Sequence, residues 1–195
     1  LAPAEGGGGG DPQHALELLH AALTPSENLG EAFHLLQNNS ELHYWSALAA
    51  RAVGNIQLAT QHFETAAASI TDFQRMAVTA YSEATLWSGL ALRELHRHPE
   101  ARALFEAMLA HAHHLKSTPA KIDYFATSLP TMLIFDEDIQ QSQLHRATLL
   151  EALALYGLNT STDRKTARRL LNDLLLADPN HPLAADLLIA LDWSP

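Results

Sequence analysis

A chain of 195 residues is long enough to bury a substantial core, and its 47% apolar residues include many alanines and leucines, which favours helices. A formal net charge of −10 with only 12 lysines and arginines argues against a nucleic-acid-binding surface, and the lack of cysteine excludes disulfides and thiolate chemistry. No apolar run approaches the ~20 residues that span a bilayer, and no signal peptide is visible. We therefore expect a cytoplasmic protein with no membrane or nucleic-acid partner and no cofactor.

The chain opens with a glycine-rich segment, residues 1–11, which we interpret as a flexible linker or tag remnant. The missing initial methionine suggests a fragment of a longer protein. A single helical domain is predicted over residues 12–195. It begins with two short helices at Pro12–Leu23 and Ser26–Gln37, which are either a degenerate repeat or a cap on the end of the array.

An internal repeat follows. A shift of 42 residues aligns 40–68 with 82–110 at eleven identical positions, including Trp45 with Trp87. Each copy predicts two helices joined by a turn so short that the helices must be adjacent and antiparallel. The repeats span about 40–70 and 82–115, with helices at Leu42–Val53, Leu58–Ala68, Ala84–Leu95 and Glu100–Leu115.

The spacing of small and aromatic residues in these copies resembles the tetratricopeptide repeat. That family has a small residue within the first helix, here Ala47 and Gly89, and a glycine at the turn, here Gly54 but not His96. In the second helix it has alanine, an aromatic and another small residue, here Ala59, Phe63 and Ala66, then Ala101, Phe105 and the larger Met108. The resemblance implies an all-α solenoid of antiparallel helix pairs with a right-handed superhelix.

The repeat period breaks at residues 116–138, which we predict to be a non-repeat insertion docked on the helices, with a short helix at Ala120–Ser128. A degenerate third repeat is predicted over about 139–179, with helices at Ala147–Tyr156 and Arg164–Ala177. Asp163 is expected to be the N-cap of the latter, after a turn, Gly157–Thr162, about two residues too long. A capping helix at 182–191 should end the array.

The run from Ser117 to Pro130 also resembles the tail region of certain large bacterial proteins. In those proteins a tetratricopeptide-like C-terminus follows β-rich domains of carbohydrate-enzyme-like type. This second resemblance implies an appendage of a larger bacterial protein.

Two clusters invite a chemical interpretation. In the cluster His111, His113 and His114, the first and last would share a helical face and could hold a metal ion, but no further ligand is evident and a solvated helix end explains them as well. Lys121, Asp123 and Tyr124 could form an acid–base set, but no nucleophile motif accompanies them. We predict neither a catalytic nor a metal site.

The tetratricopeptide resemblance implies instead a concave groove, lined by the first helices, that binds an extended peptide. The alternative is that Arg51 and Arg93 pair with Glu41, Glu83 or Glu94 and that the leucines of the first helices pack on the next repeat. We expect a non-catalytic module whose partner is a peptide, another protein, other domains of the parent chain or a second copy. The alternative function is an accessory C-terminal domain that shapes or assembles a carbohydrate-active bacterial enzyme. The predicted groove residues are Glu41, Tyr44, Arg51, Glu83, Leu86 and Arg93.

Overall fold

Helices account for almost all of the secondary structure in a computed structural model of the chain, which describes residues 10–24, 37–69, 72–74, 77–120 and 139–193. Within these ranges there are eight helices and one pair of short strands, so the all-α prediction is confirmed apart from the strands. The elements are α1 (Pro12–Ala22), α2 (Ser40–Ala52), α3 (Ile56–Ala68), β1 (Asp72–Gln74), β2 (Ala77–Thr79), α4 (Ala84–Glu94), α5 (His98–Ser117), α6 (Ile139–Leu158), α7 (Ser161–Ala177) and α8 (Pro182–Trp193).

The chain forms two compact units. The N-terminal unit consists of residues 2–73 and 78–104, and the C-terminal unit consists mainly of 105–195. Helix α5 begins in the first unit and continues into the second. The predicted helices at Ser26–Gln37 and Ala120–Ser128 fall, except for Gln37 and Ala120, on residues 25–36 and 121–138, outside the described residues. No helix of the described part is long and apolar enough to cross a membrane.

The paired strands β1 and β2 were not predicted. Each has only three residues, which is too few to leave the alternating apolar pattern by which a strand is recognised. The side chain of Asp72 is buried and accepts a hydrogen bond from the backbone amide of Asn38 (3.3 Å). This bond joins the strand pair to the segment that leads into α2.

Three helix pairs share one turn geometry. The residue that follows the first helix by one or two positions has a left-handed backbone, with φ of +82° at Gly54, +59° at His96 and +58° at Asn159. In the first two turns the amides of Asn55 and Arg97 donate to the carbonyls of Ala50 and Leu92 (2.8 and 2.9 Å). These bonds satisfy carbonyls that the helix end would leave unpaired. In all three pairs the second helix begins two residues after the left-handed residue.

The third turn therefore differs from the prediction. It is as short as the others, because Gly157 and Leu158 still belong to α6 and the second helix begins at Ser161. The extra residues lie in the first turn of α7, which places Ala167 farther along its helix than Ala59 is along α3. The N-cap is Thr160 rather than Asp163. Asp163 is the third residue of α7 and completes a reciprocal capping box with Thr160.

The left-handed His96 yields a stability prediction. A side chain with a Cβ atom pays about 1 kcal/mol or more for this conformation, and glycine does not. We expect His96→Gly to raise the free energy of unfolding by about 1 kcal/mol, as measured by urea denaturation. Asn159→Gly is the matched comparison, and its gain should be smaller because asparagine tolerates the left-handed region well. A loss of stability in His96→Gly would contradict the turn geometry.

The small and aromatic residues of the second helices lie in the core, and the corresponding residues of α7 do so as well. Three positions of each second helix are buried. The first is an alanine (Ala59, Ala101 and Ala167), the second is an aromatic residue or leucine (Phe63, Phe105 and Leu171), and the third is Ala66, Met108 or Leu174. In the C-terminal unit α6 is buried on most sides between Ala147 and Gly157 and packs along α7. A helix that is apolar on nearly all sides is expected at the centre of its unit, and this second half of α6 fits the description.

Candidate functional site

The first helices of the two clear repeats, α2 and α4, lie side by side in the N-terminal unit. At their N-terminal ends the hydroxyl of Ser40 donates to the carbonyl of Ala84 (2.7 Å). At their C-terminal ends the guanidinium of Arg51 lies 2.5 Å from the carboxylate of Glu94. Because the N-terminal ends of the two helices contact each other and their C-terminal ends do as well, α2 and α4 run parallel. We call the exposed and half-buried charged residues at the ends of these two helices, Glu41, Arg51, Glu83 and Arg93, the α2–α4 surface.

A cluster of four aromatic side chains joins α2, α3 and α4. Tyr44 contacts Phe63 edge to face (ring centres 5.8 Å apart) and lies 5.4 Å from Trp87, which in turn lies 5.3 Å from Trp45. Such tilted and edge-on contacts stabilise aromatic pairs beyond the burial of their area. Tyr44 is 9% exposed and Leu86 is fully buried, so these two predicted groove residues lie in the core and support the surface from below.

The guanidinium of Arg51 is held from two sides. Besides its ion pair with Glu94, its central carbon lies 5.5 Å above the ring centre of Phe63, within cation–π range. The side chain is still about half exposed. The pairing with Glu94 is the one that the structural alternative anticipated. An incoming carboxylate would have to share the guanidinium with Glu94, and an incoming backbone carbonyl could bind beside it.

The other predicted groove residues are closer to solvent. Glu41 is exposed in the first turn of α2, while Glu83 and Arg93 are half-buried at opposite ends of α4. The structure thus brings Glu41 and Glu83 to the N-terminal ends of the two helices, and Arg51 and Arg93 to their C-terminal ends, where Glu94 also lies. This charge distribution also complements the helix dipoles, which favour acids at the start and bases at the end.

A histidine pair between α2 and α3 was missed by the sequence analysis. The Nδ1 atoms of His43 and His62 are 2.9 Å apart, and the ring centres are 5.2 Å apart. The nitrogens therefore face each other along the line of centres, as in an N–H···N hydrogen bond. Burial lowers the pKa of both imidazoles; His62 lowers that of His43 further, and His20 lowers that of His62 further. A separation of 19 residues gave no local signal for this pair.

The histidine pair predicts acid sensitivity. The pKa values of the two imidazoles in the folded chain lie below the ordinary 6.5. Near that pH the unfolded chain therefore binds more protons than the folded chain does. The free energy of unfolding should therefore fall as the pH drops through about 6.5, and stop falling on this account once the pH is below the folded pKa values. Burial lowers the pKa of His111 in the C-terminal unit too, with further effects from Arg146 and His114, so it adds in the same direction.

This pH dependence can be measured by urea denaturation between pH 7.5 and 5, chosen to bracket the usual imidazole pKa of about 6.5. His62→Gln should make the loss of stability on acidification shallower, since one of the two facing imidazoles is gone. His14→Gln is the control because that side chain is mostly exposed to water. An unchanged slope in His62→Gln would contradict the assignment.

The histidines of α5 meet a carboxylate that the sequence did not reveal. Glu151 of α6 lies 3.5 Å from the Nε2 atom of His113 and also forms an ion pair with Lys116. The carboxylate is largely buried, which strengthens its pairing with the ammonium group. A metal ion at this point would compete with Lys116 for Glu151, so the arrangement is that of an ion-pair network joining α5 to α6.

In the described part of the chain no group of three or more histidine and acidic side chains is arranged to hold a metal ion. The residues proposed for an acid–base set, Lys121, Asp123 and Tyr124, lie outside the described residues. No protein-family model matches the chain, and no solved structure is significantly similar to it.

Proposed function

We propose that the chain is a non-catalytic protein-interaction module of tetratricopeptide-like type, which binds an extended peptide segment across the α2–α4 surface. The parallel pairing of α2 and α4 carries this proposal. It sets two equivalent helices side by side, one repeat apart, so that equivalent residues recur at a fixed spacing across the surface. An extended chain that crosses the two helices would meet similar groups twice.

The polar groups suit peptide recognition. Arg51 is held in place by Glu94 and Phe63 and so loses little further entropy when it donates a hydrogen bond to a peptide carbonyl or carboxylate. Arg93 is the equivalent residue of the second repeat. The aromatic cluster below keeps both helices in register, which supports a preorganised surface.

The test uses an array of random peptides with free C-terminal carboxylates, probed with the full chain. Arg51→Ala combined with Arg93→Ala should weaken binding to the positive peptides by about tenfold, the effect expected for the loss of a hydrogen bond to a charged group. Arg97→Ala combined with Arg102→Ala is the matched control, since it removes the same charge from the same unit. The thermal midpoint of the first variant should stay nearly unchanged because exposed ion pairs contribute little.

Two outcomes would refute peptide binding at this surface. One is the absence of reproducible peptide binding by the unaltered chain. The other is an equal loss of binding in both double variants, which would show that only the overall charge matters.

A further inference from the structure

Helix α7 carries a concentration of positive charge that is unusual for this acidic chain. Four of the chain's 12 lysines and arginines lie between residues 164 and 169, although the formal net charge of the whole is −10. Because they are not consecutive, the four do not read as a basic run. Helical spacing brings Arg164, Lys165 and Arg168 to one side of α7, together with Ser161 one turn earlier.

These side chains line an open cavity in the C-terminal unit. Its volume is about 390 Å³, and its lining residues are Asn159, Ser161, Arg164, Lys165 and Arg168. The lining thus contains three cations, a hydroxyl and a side-chain amide, and none of the lining residues is acidic. All five side chains can donate hydrogen bonds.

Contacts with α8 hold the two arginines in place. Arg164 donates to the backbone carbonyl of Leu191 (3.2 Å), and Arg168 forms an ion pair with Asp192. A guanidinium has five N–H donors in a rigid fork, so these contacts orient both forks on α7. Asp192 offsets part of the charge of Arg168, whereas the ammonium group of Lys165 makes no hydrogen bond or ion pair with any described residue.

The attraction for an anion comes from these side chains rather than from the start of the helix. Thr160 and Asp163 already cap the first turn of α7, and Asp163 adds a negative charge there. Any anion must therefore be held by Lys165 and the arginine forks. The N–H donors of the two guanidinium groups, together with the ammonium group and the hydroxyl, can each bind one of the several oxygens of a phosphate group.

We propose that this cavity binds the phosphate group of a phosphate-bearing ligand. Its volume falls within the range of small-molecule sites, about 300–1,000 Å³, and is larger than a phosphate alone requires. Because the cavity is open to solvent, the group that carries the phosphate can extend out of it. The cavity lies in the C-terminal unit and is separate from the α2–α4 surface, so it does not depend on the peptide-binding function.

The test titrates the full chain with two probes and follows amide chemical shifts. One probe is inorganic phosphate, and the other is a neutral peptide with one phosphoserine, compared with its unphosphorylated form. Lys165→Gln should weaken phosphate binding by about tenfold, the loss expected for one hydrogen bond to a charged group. Arg169→Gln is the matched control because it removes one positive charge from the same helix but lies outside the cavity lining.

Saturable binding that Lys165→Gln weakens and Arg169→Gln preserves would support the site. The stronger of the two probes then identifies the source of the phosphate as a small anion or a modified peptide. Absence of saturable binding to both probes would overturn the proposal. Equal weakening by both variants would overturn it as well, since the attraction would then be a general effect of charge. Circular dichroism of each variant verifies that α7 remains folded.

Discussion

Gly157→Ala should destabilise the chain by about 3 kcal/mol, the upper part of the range for overfilled cores. A Cβ atom at position 157 would lie 2.3–2.5 Å from three ring atoms of Phe105. Phe105 is only 1% exposed, so its ring has little room to move. The sign is informative, because glycine to alanine within a helix otherwise stabilises by about 1 kcal/mol. Urea denaturation of the full chain measures the change.

A double-mutant cycle makes this prediction specific. Phe105→Leu alone should cost stability by leaving a cavity, yet it should relieve the clash when combined with Gly157→Ala. The combined variant is therefore expected to be more stable than the sum of the two single changes implies. Additive effects, or a stabilising Gly157→Ala, would show that α5 and α6 do not approach as closely as described.

Trp87→Ala should cost about 4 kcal/mol, as is usual when a buried tryptophan is truncated. Trp87 is 8% exposed and contacts both Tyr44 and Trp45. Its repeat equivalent, Trp45, is only half-buried, so Trp45→Ala should cost clearly less. Thermal and urea unfolding of both variants give the comparison.

If Trp87→Ala fails to fold, Trp87→Phe retains an aromatic ring and should lose an intermediate amount of stability. A larger cost at Trp45 than at Trp87 would contradict the packing described for the N-terminal unit. The assignment of Trp87 to the core of the N-terminal unit would then have to be revised.

Much of the helical architecture could be predicted because the 42-residue repeat is carried by core residues. Ala59, Phe63 and Ala66 recur as Ala101, Phe105 and Met108, and burial at these positions is what the spacing encodes. The turns were harder to predict. Glycine marks only the first one, while histidine and asparagine adopt the same left-handed backbone in the others, and the local signal is lost.

The candidate site could be predicted only in part. The tetratricopeptide resemblance implied that Tyr44 and Arg51 face one groove, but it could not show that Tyr44 packs against Phe63 while Arg51 remains half exposed. Contacts between residues that are distant in sequence could not be predicted at all. The His43–His62 hydrogen bond and the approach of Glu151 to Lys116 depend on how neighbouring helices meet, which a single sequence does not specify.

The most direct test of the account is an amide chemical-shift map of the full chain, titrated with the tightest-binding peptide from the random array. Binding across the α2–α4 surface predicts saturable shifts concentrated in residues 40–52 and 84–94, and their loss in the variant with Arg51→Ala and Arg93→Ala. Shifts concentrated elsewhere, with these two helices unaffected, would contradict the proposed binding surface.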